Sequence, residues 1–251
     1  MLLRRISKHV TDQNWFAVFI DFLIVVVGVF IGIQVANWNE ERIERSLERE
    51  YLEQLHDDFV KSIKGQRRDV NFLNRQLSDY EIILKSLDAC HVNTKDKKAF
   101  QRGINTIGYI NPPRIFRRTV DEMSAAGRTN IIQNQSLKDQ LSDVIALVEW
   151  RGNSFTESVA RINEHNRQTV EKEMRYDLSQ KYTDTFIGEF VGVDFDIQTL
   201  CSIPQISSSI SSVSYSTLER RRAYEPILKQ YEGILDTIEE ELYTRWNVKL
   251  K

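Results

Sequence analysis

Glycine, proline and cysteine are all scarce in this chain, and each scarcity excludes a class of structure. Ten glycines and four prolines in 251 residues disfavour a turn-rich β-sandwich or β-barrel, so an all-α body is expected. Two cysteines allow one disulfide at most, which excludes a disulfide-rich scaffold. The formal net charge of −2 gives no overall attraction to nucleic acid, and no nucleic-acid partner is predicted.

Catalytic and cofactor-binding motifs are lacking as well. The histidines are isolated from one another in the sequence, at His9, His56, His91 and His165. Cys90-His91 is the one adjacent pair of metal-ligating residue types, and a zinc site would need two further ligands. No nucleophile elbow, phosphate-binding glycine loop, zinc-protease motif or dinucleotide fingerprint is present. The sequence therefore predicts no enzymatic activity, no metal and no cofactor.

One long apolar run is present near the N-terminus, with Trp15 and Trp38 at its two ends. A helix over this run rises about 35 Å, which is enough to cross the hydrocarbon core of a bilayer with modest tilt. Tryptophan is typical of membrane–water interfaces, so both residues are predicted interface anchors. We predict a basic tail over residues 1–14 and a transmembrane helix over residues 15–38, with the lipid bilayer as its partner.

A cleaved signal peptide is the alternative interpretation of this run, because Arg4, Arg5 and Lys8 form a basic segment in front of it. The run is longer than such a peptide requires. It also continues into Ala36-Asn37-Trp38-Asn39, which is a poor cleavage context. We therefore predict an uncleaved anchor.

The distribution of basic residues bears on the orientation of the span. Three basic residues precede the run and three follow it closely, at Arg42, Arg45 and Arg49, so the count of Lys and Arg is a tie. The short N-terminal tail favours an N-terminus inside the cytoplasm and a body outside it. A Cys90–Cys201 disulfide is then chemically permitted, and two unlinked buried thiols are the alternative.

One face of the predicted span carries small residues. Gly28, Gly32 and Ala36 recur at every fourth position, which lets a second helix approach closely. At 100° per residue Asp21 lies within about 20° of both glycines, and a carboxyl group in a span usually faces protein or water. We expect this face to pair with a second copy or with a partner membrane protein. The alternative places Asp21 near the lipid headgroups, with no role for the glycines.

A charged segment with helical periodicity follows the span over residues 39–91. Its apolar residues recur mostly in steps of three or four: Ile43, Leu47, Tyr51, Leu55, Phe59, Ile63, Val70, Leu73, Leu77, Tyr80, Leu84 and Leu87. Gly65 is a candidate kink or break within it. Part of this spacing is a short heptad seam, as in a coiled coil. We predict a long helix that continues from the span and packs in an antiparallel helical bundle.

The remaining residues, 92–251, are expected to complete that bundle. Asn-Pro and Gly signals mark turns in its first part, around Asn111-Pro112-Pro113. Short helices are predicted over residues 96–107 and 119–126, and the second should end at Gly127.

The second half of this region contains a longer periodic stretch. Ser136 is expected to cap a helix that persists to about Tyr176. Residues 182–198 are ambiguous between a short strand and an apolar loop. The serine-rich stretch over residues 207–216 is expected to form a loop or linker.

The final helix is predicted to begin at the capping box Ser216-Thr217-Leu218-Glu219. Arg220, Arg221 and Arg222 then fall in its first turn, where cations oppose the helix dipole. Together with Arg114, Arg117 and Arg118 they could bind an anion or a phospholipid headgroup. A solvated charged face is the alternative reading of the same cluster.

Two blocks of this sequence resemble a known group of proteins. The span runs into Gln34-Val35-Ala36-Asn37-Trp38-Asn39-Glu40, and Gln-x-x-Asn-Trp-Asn-Glu after a Val/Ile-rich span is the hallmark of a family of uncharacterised bacterial single-span membrane proteins. The segment Thr119–Leu137 is similar to a second block of that family. Members often carry Glu at the position of Asp21. The resemblance implies a bacterial membrane location and a helical body, and it implies no activity.

These observations predict a single-pass protein of the bacterial inner membrane with its body in the periplasm. The function predicted first is that of a helical bundle acting through protein–protein contacts, as a scaffold, adaptor or assembly subunit. The alternative is an extracytoplasmic sensor-like domain that binds a small ligand between its helices. A buried polar pocket would favour the sensor, and a large exposed apolar patch would favour the scaffold.

Overall fold

The structure is a computed structural model that describes residues 15–155, 159–185 and 188–250, with side-chain surroundings from residue 19 onwards except at Asp21. The chain divides into two compact units, Met1–Glu50 and Tyr51–Lys251. The predicted basic tail of residues 1–14 lies outside the described residues.

Helix α1, Trp15–Asp88, begins in the first unit with an apolar segment in which none of the described side chains is buried. Every described apolar side chain from Phe19 to Trp38 is exposed, on all sides of the helix. A helix that is apolar on every face differs from the one-sided stripe of a helix on a protein surface. As the sequence predicts, this helix is long and apolar enough to span a membrane.

In the second unit helix α1 becomes amphipathic. Its buried apolar side chains mostly follow steps of three and four, the pattern of a helix with one packed face. They are Tyr51, Leu52, Leu55, Phe59, Ile63, Phe72, Leu73, Tyr80, Ile83 and Leu87. Gly65 is helical, so the predicted break does not occur there. Val70, Leu77 and Leu84 of the predicted heptad seam are only half-buried, and the packed face is wider than that seam.

Two short helices follow the long one. Helix α2, Lys97–Asn105, and helix α3, Arg118–Ala125, lie close to their predicted bounds. Helix α3 ends as predicted at Gly127, whose φ of +65° is in the left-handed region that glycine adopts at little cost. The amide of Arg128 then donates to the carbonyl oxygen of Met123 at 2.8 Å, which closes the helix end in the Schellman manner.

Two helices cover most of the long helix predicted after Ser136, with residues 156–158 between them outside the described residues, and the second ends at Glu171 rather than near Tyr176. They are α4, Gln135–Ser154, and α5, Ala160–Glu171. The N-cap of α4 is Asn134 rather than Ser136, and its Oδ1 accepts an amide hydrogen bond of 3.0 Å in the first turn. Asparagine and serine are equally good N-caps, so local propensity alone does not choose between them.

A β-hairpin begins where that helix was predicted to reach Tyr176. Strand β1, Arg175–Asp184, pairs antiparallel with strand β2, Gly188–Asp194. Strand β2 buries Phe190 and Val193. The sequence left this segment open between a short strand and an apolar loop, and it forms a strand. Strand β1 buries no residue, and its apolar alternation is limited to Tyr176, Leu178 and Tyr182 among polar residues, which is a weak strand signal. The chain remains mostly helical, with 75% helix and 8% strand, in agreement with the predicted fold class.

The C-terminal part consists of helix α6, Ile197–Ser202, and helix α7, Pro204–Trp246. Helix α7 includes residues 207–216 and the tetrapeptide 216–219, so the predicted serine loop and capping box were both wrong. Buried residues recur at helical spacing straight through the serines, at Ile206, Ser209, Ile210, Val213, Thr217 and Arg220. Tertiary packing of this stripe outweighs the modest helix propensity of serine. Proline is favourable in a first turn, and Pro204 marks the true start.

Helices α1 and α7 contact each other along the second unit. The rings of Phe59 and Tyr231 meet edge to face with centroids 5.8 Å apart, and Arg221 donates to Asn74 at 3.3 Å. Residue numbers rise along α1 as they fall along α7, so the paired segments run in opposite directions. Helices α4 and α5 also contact α7, and α2 contacts β2.

Candidate functional site

The predicted association face lies in the apolar part of α1. Gly28 and Gly32 are exposed, and a Cβ atom added at either glycine would meet no atom within 4 Å. Ala36 is exposed as well. The backbone at these positions is therefore accessible to a second helix, as close packing through small residues requires. Asp21 belongs to α1, but its side chain lies outside the described residues.

The two predicted interface anchors lie at the ends of the apolar segment. Trp38 is 60% exposed at its C-terminal end. Trp15 is the first residue of α1, and its side chain lies outside the described residues. An exposed indole at the end of an apolar helix matches the chemistry of the headgroup region, which accommodates both the ring and its N–H group.

The two cysteines lie together in the second unit. Cys90 and Cys201 form a disulfide, with Cα atoms 5.5 Å apart, that joins the end of α1 to α6. Cys90 has a φ of +45° and follows α1 at the position where glycine is usual. The amides of Cys90 and His91 donate to the carbonyl oxygens of Leu87 and Ser86 at 3.2 and 3.0 Å, which completes the helix end. This backbone closure positions Cys90 opposite α6.

The three consecutive arginines lie within α7 rather than in its first turn, because the helix begins earlier than predicted. Arg220 is buried, at 7% exposed. Arg221 donates to Asn74 at 3.3 Å, whereas Arg222 forms an ion pair with Glu219 at 2.7 Å. The three guanidinium groups thus have different surroundings, and the predicted anion contact cannot consist of all three together.

The other three arginines of the predicted cluster have acidic neighbours. Arg114 lies 3.5 Å from a carboxylate oxygen of Asp69. Arg117 donates to Asp121 at 2.8 Å and also pairs with Glu149. Arg118 lies at the outer limit of an ion pair, 4.0 Å from a carboxylate oxygen of Asp58. Their charges are balanced locally, so this part of the predicted anion site is not supported.

A buried ion-pair cluster joins α1, α2 and the end of β1. Arg102 of α2 donates to both carboxylate oxygens of Asp79 on α1, at 2.6 and 2.7 Å. Its remaining terminal nitrogen lies 3.4 Å from Asp184 of β1, to which Arg75 also donates at 3.5 Å. Planar, two-point pairing of this kind is the strongest geometry available to arginine and a carboxylate.

The pKa values in this cluster reflect both burial and pairing. Burial raises the pKa of Asp79, and the hydrogen bond and charge of Arg102 oppose that rise. The hydrogen bond to Asp79 is the main cause of the raised pKa of Arg102. The guanidinium of Arg102 engages both oxygens of Asp79. This carboxyl group therefore links α1 to α2 and does not face a substrate as an acid or base. Sequence analysis missed this cluster because Arg102 lies 23 residues from Asp79 and 82 from Asp184.

A row of buried polar side chains on α1 contacts the stretch from the end of α2, through the irregular segment after it, to the first turn of α3. The Oδ2 atom of Asp58 accepts hydrogen bonds from the amide and the hydroxyl of Thr119, at 2.9 and 2.7 Å. The Nε2 atom of Gln76 donates to the carbonyl oxygens of Thr106 and Tyr109, at 2.7 and 2.8 Å. These side chains satisfy backbone groups that an irregular segment cannot pair by itself.

Two further members of this row accept hydrogen bonds from the same stretch, and a third does not. Ser62 accepts one of 2.9 Å from the backbone amide of Phe116, and Asp69 accepts one of 3.3 Å from the side-chain Nδ2 atom of Asn111. Gln66 is only 2% exposed, yet neither atom of its side-chain amide has a hydrogen-bond partner among the described residues. The row could have been suspected from the polar positions that interrupt the apolar stripe of α1.

Two open clefts in the second unit contain groups suited to binding. The first, of about 480 Å³, lies between α1, the segment after α2 and strand β2. Arg68 and Arg114 line it, together with the acidic residues Asp69 and Glu189. The second, of about 390 Å³, lies between α4, α5 and α7, and Arg220 lines it. In the first cleft, the charges of the arginines are offset by those of the acidic residues. The second cleft gives access to Arg220, the buried arginine of the predicted triplet.

Among the described residues there is no group of three or more His, Cys, Asp or Glu side chains that could hold a metal ion. Cys90, one half of the adjacent Cys-His pair, is engaged in the disulfide.

Comparison with protein-family models, with curated proteins and with solved structures finds no match to this chain. The resemblance of the span and of Thr119–Leu137 to a bacterial membrane-protein family therefore stays a prediction that rests on those residues.

Proposed function

We propose that this chain is a single-pass membrane protein whose helical body acts outside the cytoplasm, through contacts with other proteins rather than by catalysis. The observation that carries the proposal is the apolar part of α1. From Phe22 to Trp38 it contains no charged residue, and every described apolar side chain there is exposed. Such a surface is stable in lipid and costly in water.

The disulfide supports a location of the body outside the cytoplasm. A bridge between Cys90 and Cys201 persists in an oxidising environment such as the bacterial periplasm and is rare in the cytosol. With one span, a periplasmic body requires the N-terminus to face the cytoplasm. This agrees with the orientation predicted from the short basic tail.

We further propose that the body is an antiparallel helical bundle built on α1 and α7. The contacts between Phe59 and Tyr231 and between Asn74 and Arg221 support this arrangement. The ionisable groups of the buried row on α1 serve interior backbone and ion-pair contacts, which favours a structural role for them. The fold proposed here supplies a rigid body on an anchor, suited to a scaffold, adaptor or assembly subunit.

The partner we propose first is a second copy of the chain, joined through Gly28, Gly32 and Ala36. The open backbone at the two glycines supports close approach of another helix in lipid, where small residues favour packing. Asp21 falls on the same face by helical geometry, and a carboxyl group at a helix–helix contact would be shielded from the acyl chains.

Membrane extraction and topology mapping test the anchor. The full chain should stay with the membrane fraction after an alkaline carbonate wash, with residues 15–38 still attached. Protease added to intact spheroplasts should cut the body. Release of the chain by carbonate, a mature N-terminus beyond Trp38, or a body shielded in spheroplasts would each contradict the proposal.

A glycine-face variant tests the assembly. Gly28→Leu with Gly32→Leu should reduce self-association in detergent, measured by energy transfer between labelled copies, because larger side chains separate the helices. The matched control is Val26→Leu with Phe30→Leu, which has the same spacing on the opposite side of the helix. Equal association of both variants and the parent chain would refute pairing through this face.

A second candidate function is an extracytoplasmic domain that binds a small ligand. The specific observation in its favour is the pair of clefts in the second unit, each lined by arginine. It would share the same anchor and orientation, and it would need a partner to transmit the signal.

A further inference from the structure

We propose that the cleft between α4, α5 and α7 binds a small organic anion, a carboxylate or phosphate group on an apolar body, with the guanidinium of Arg220 as its main contact. The inference goes beyond the proposed assembly function and holds for either orientation of the span. Its starting point is that Arg220 is 93% buried, given its exposure of 7%, and has neither a hydrogen bond nor an ion pair among the described residues.

The second buried arginine of the same unit provides the contrast. Arg102 is also buried, and its guanidinium is held by two carboxylate groups, Asp79 and Asp184. Buried charges in proteins are normally paired in this way, because removing a charge from water is costly. Among the described residues, the contacts of the Arg220 guanidinium are instead aromatic, with its Cζ atom 4.8 Å from the ring centroid of Phe155 and 5.8 Å from that of Tyr224.

Aromatic contact does not satisfy the donors of a guanidinium. A ring stacked on its face leaves the five N–H groups, which lie in its plane, without acceptors. Burial is the main cause that lowers the pKa of Arg220, and the nearby charge of Arg151 lowers it further, although a guanidinium stays protonated at neutral pH. The cleft therefore contains a cation whose N–H groups and charge have no acidic partner within the part of the chain that the structure describes.

A second arginine increases the positive charge of the same cleft. Arg151 of α4 also lines it, and its Nε atom is buried without a hydrogen-bond partner among the described residues. The guanidinium of Arg151 lies 4.7 Å from the ring centroid of Trp150. The acid at this cleft, Glu219, is engaged with Arg222 at 2.7 Å. A bound anion is the simplest source of the missing negative charge.

The remaining walls define the kind of anion. The hydroxyl-bearing residues Ser154, Ser212 and Ser216 line the cleft and can donate to an oxyanion. Ile162 and Tyr215, which also line it, are 54% and 65% exposed. A cleft of about 390 Å³ with an apolar side and a cationic end suits a small amphipathic anion better than a bare inorganic ion.

Calorimetric titration of the full chain in non-ionic detergent tests the proposal with four probes. Benzoate and phenyl phosphate carry both features, benzyl alcohol lacks the charge, and inorganic phosphate lacks the apolar body. At least one of the first two should show saturable binding, and both incomplete probes should bind about tenfold more weakly or not at all. Absence of saturable binding by both complete probes, or equal binding of benzyl alcohol, would overturn the proposal.

Variants of adjacent arginines locate the site. Arg220→Gln should weaken binding of the complete probes by about tenfold or more, because a charge-assisted contact is lost. Arg221→Gln removes the same charge one residue away, where the guanidinium contacts Asn74, and should leave binding within about twofold. Equal effects of the two variants would place the probe elsewhere and overturn the proposal.

Circular dichroism will show whether Arg220→Gln folds. If it does not, a variant that keeps all charges can still test the site. Ser212→Leu at the exposed cleft wall retains both arginines and narrows the cleft. It should weaken phenyl phosphate and benzoate binding while leaving the melting temperature of the unliganded chain nearly unchanged. Unaltered binding by this variant would contradict the assigned cleft.

Discussion

Helix α1 has two parts that are equally helical and opposite in their relation to the protein interior. From Phe22 to Trp38 it has no charged residue, and every described apolar side chain is exposed. From Tyr51 onwards it is rich in charge, yet it buries acids, with Asp58 at 2% and Asp79 at 1% exposed. The comparison teaches that hydrophobicity alone does not decide which side chains of this helix are buried. The acids of the second part are buried because protein donors surround them, whereas no protein atoms cover the described apolar side chains of the first part.

The largest expected effect comes from breaking the charge pairing in the second part. Asp79→Leu alone should lower the free energy of unfolding by about 3–5 kcal/mol, because it removes the two-point partner of the buried Arg102 and leaves only the longer contact to Asp184. Adding Arg102→Met should restore much of the lost stability, since no buried cation then remains in this cluster. Chemical denaturation followed by circular dichroism measures both. If Asp79→Leu were as stable as the parent chain, the ion pair between Asp79 and Arg102 would not stabilise the fold.

The disulfide at the end of α1 should have the next largest effect. Replacing Cys90 and Cys201 with serine should lower the free energy of unfolding by about 2–4 kcal/mol, because the bridge closes a long loop of 111 residues. Reductant should produce the same loss in the parent chain and none in the double variant. A parent chain insensitive to reductant in denaturation would contradict the bridge.

Two glutamines on α1 should respond in opposite directions to the same replacement. Gln76→Leu should destabilise the chain by about 1–3 kcal/mol, because it removes the donor for two carbonyl oxygens. Gln66→Leu should stabilise it by about 1–2 kcal/mol, because its buried amide has no partner among the described residues. Melting curves of the two variants decide this, and a loss of stability in Gln66→Leu would reveal a partner for that amide.

The smallest expected effect concerns the first part of α1. Gly28→Leu with Gly32→Leu should leave the unfolding of the second unit unchanged within about 0.5 kcal/mol, because substitutions without shared partners act independently. No atom lies within 4 Å of a Cβ atom added at either glycine. Urea denaturation in detergent, followed by the tryptophans beyond Trp38, would measure this. A shift comparable to that of Gln76→Leu would mean that the span contributes to the stability of the body.

The extent of successful prediction differs along the chain for physical reasons. The apolar run and the periodic stripe of α1 are local signals, and they were sufficient to predict one long helix with a segment apolar enough to span a membrane. The glycine signal at Gly127 was likewise sufficient for the end of α3. The serine-rich stretch of α7 was predicted as a loop because serine is weak in helices, although the buried stripe through Ile206, Ile210 and Val213 could have corrected this. Strand β1 carries only a weak alternation, at Tyr176, Leu178 and Tyr182, and buries none of these residues, so its pairing with β2 identifies it far more clearly.

The candidate sites divide in the same way. The small-residue face and the arginine triplet were visible as patterns, but the triplet was assigned to a helix start that does not exist. Which of its three guanidinium groups is buried depends on the register of α7 against α4 and α5. The tie between Asp79 and Arg102, and the row of polar contacts from Asp58 to Gln76, depend on residues that only folding brings together.

By itself the sequence determined which segment is apolar enough for lipid, which segments are helical by periodicity, and that one disulfide at most could form. These properties depend on residues that are neighbours along the chain, because helical geometry brings positions three and four apart together. Tertiary structure alone decided that Cys90 bonds to Cys201, that Arg102 is paired and that Arg220 has no ion pair with any described residue. Those outcomes depend on distances between elements, and a buried charge has no effect until the chain has folded around it.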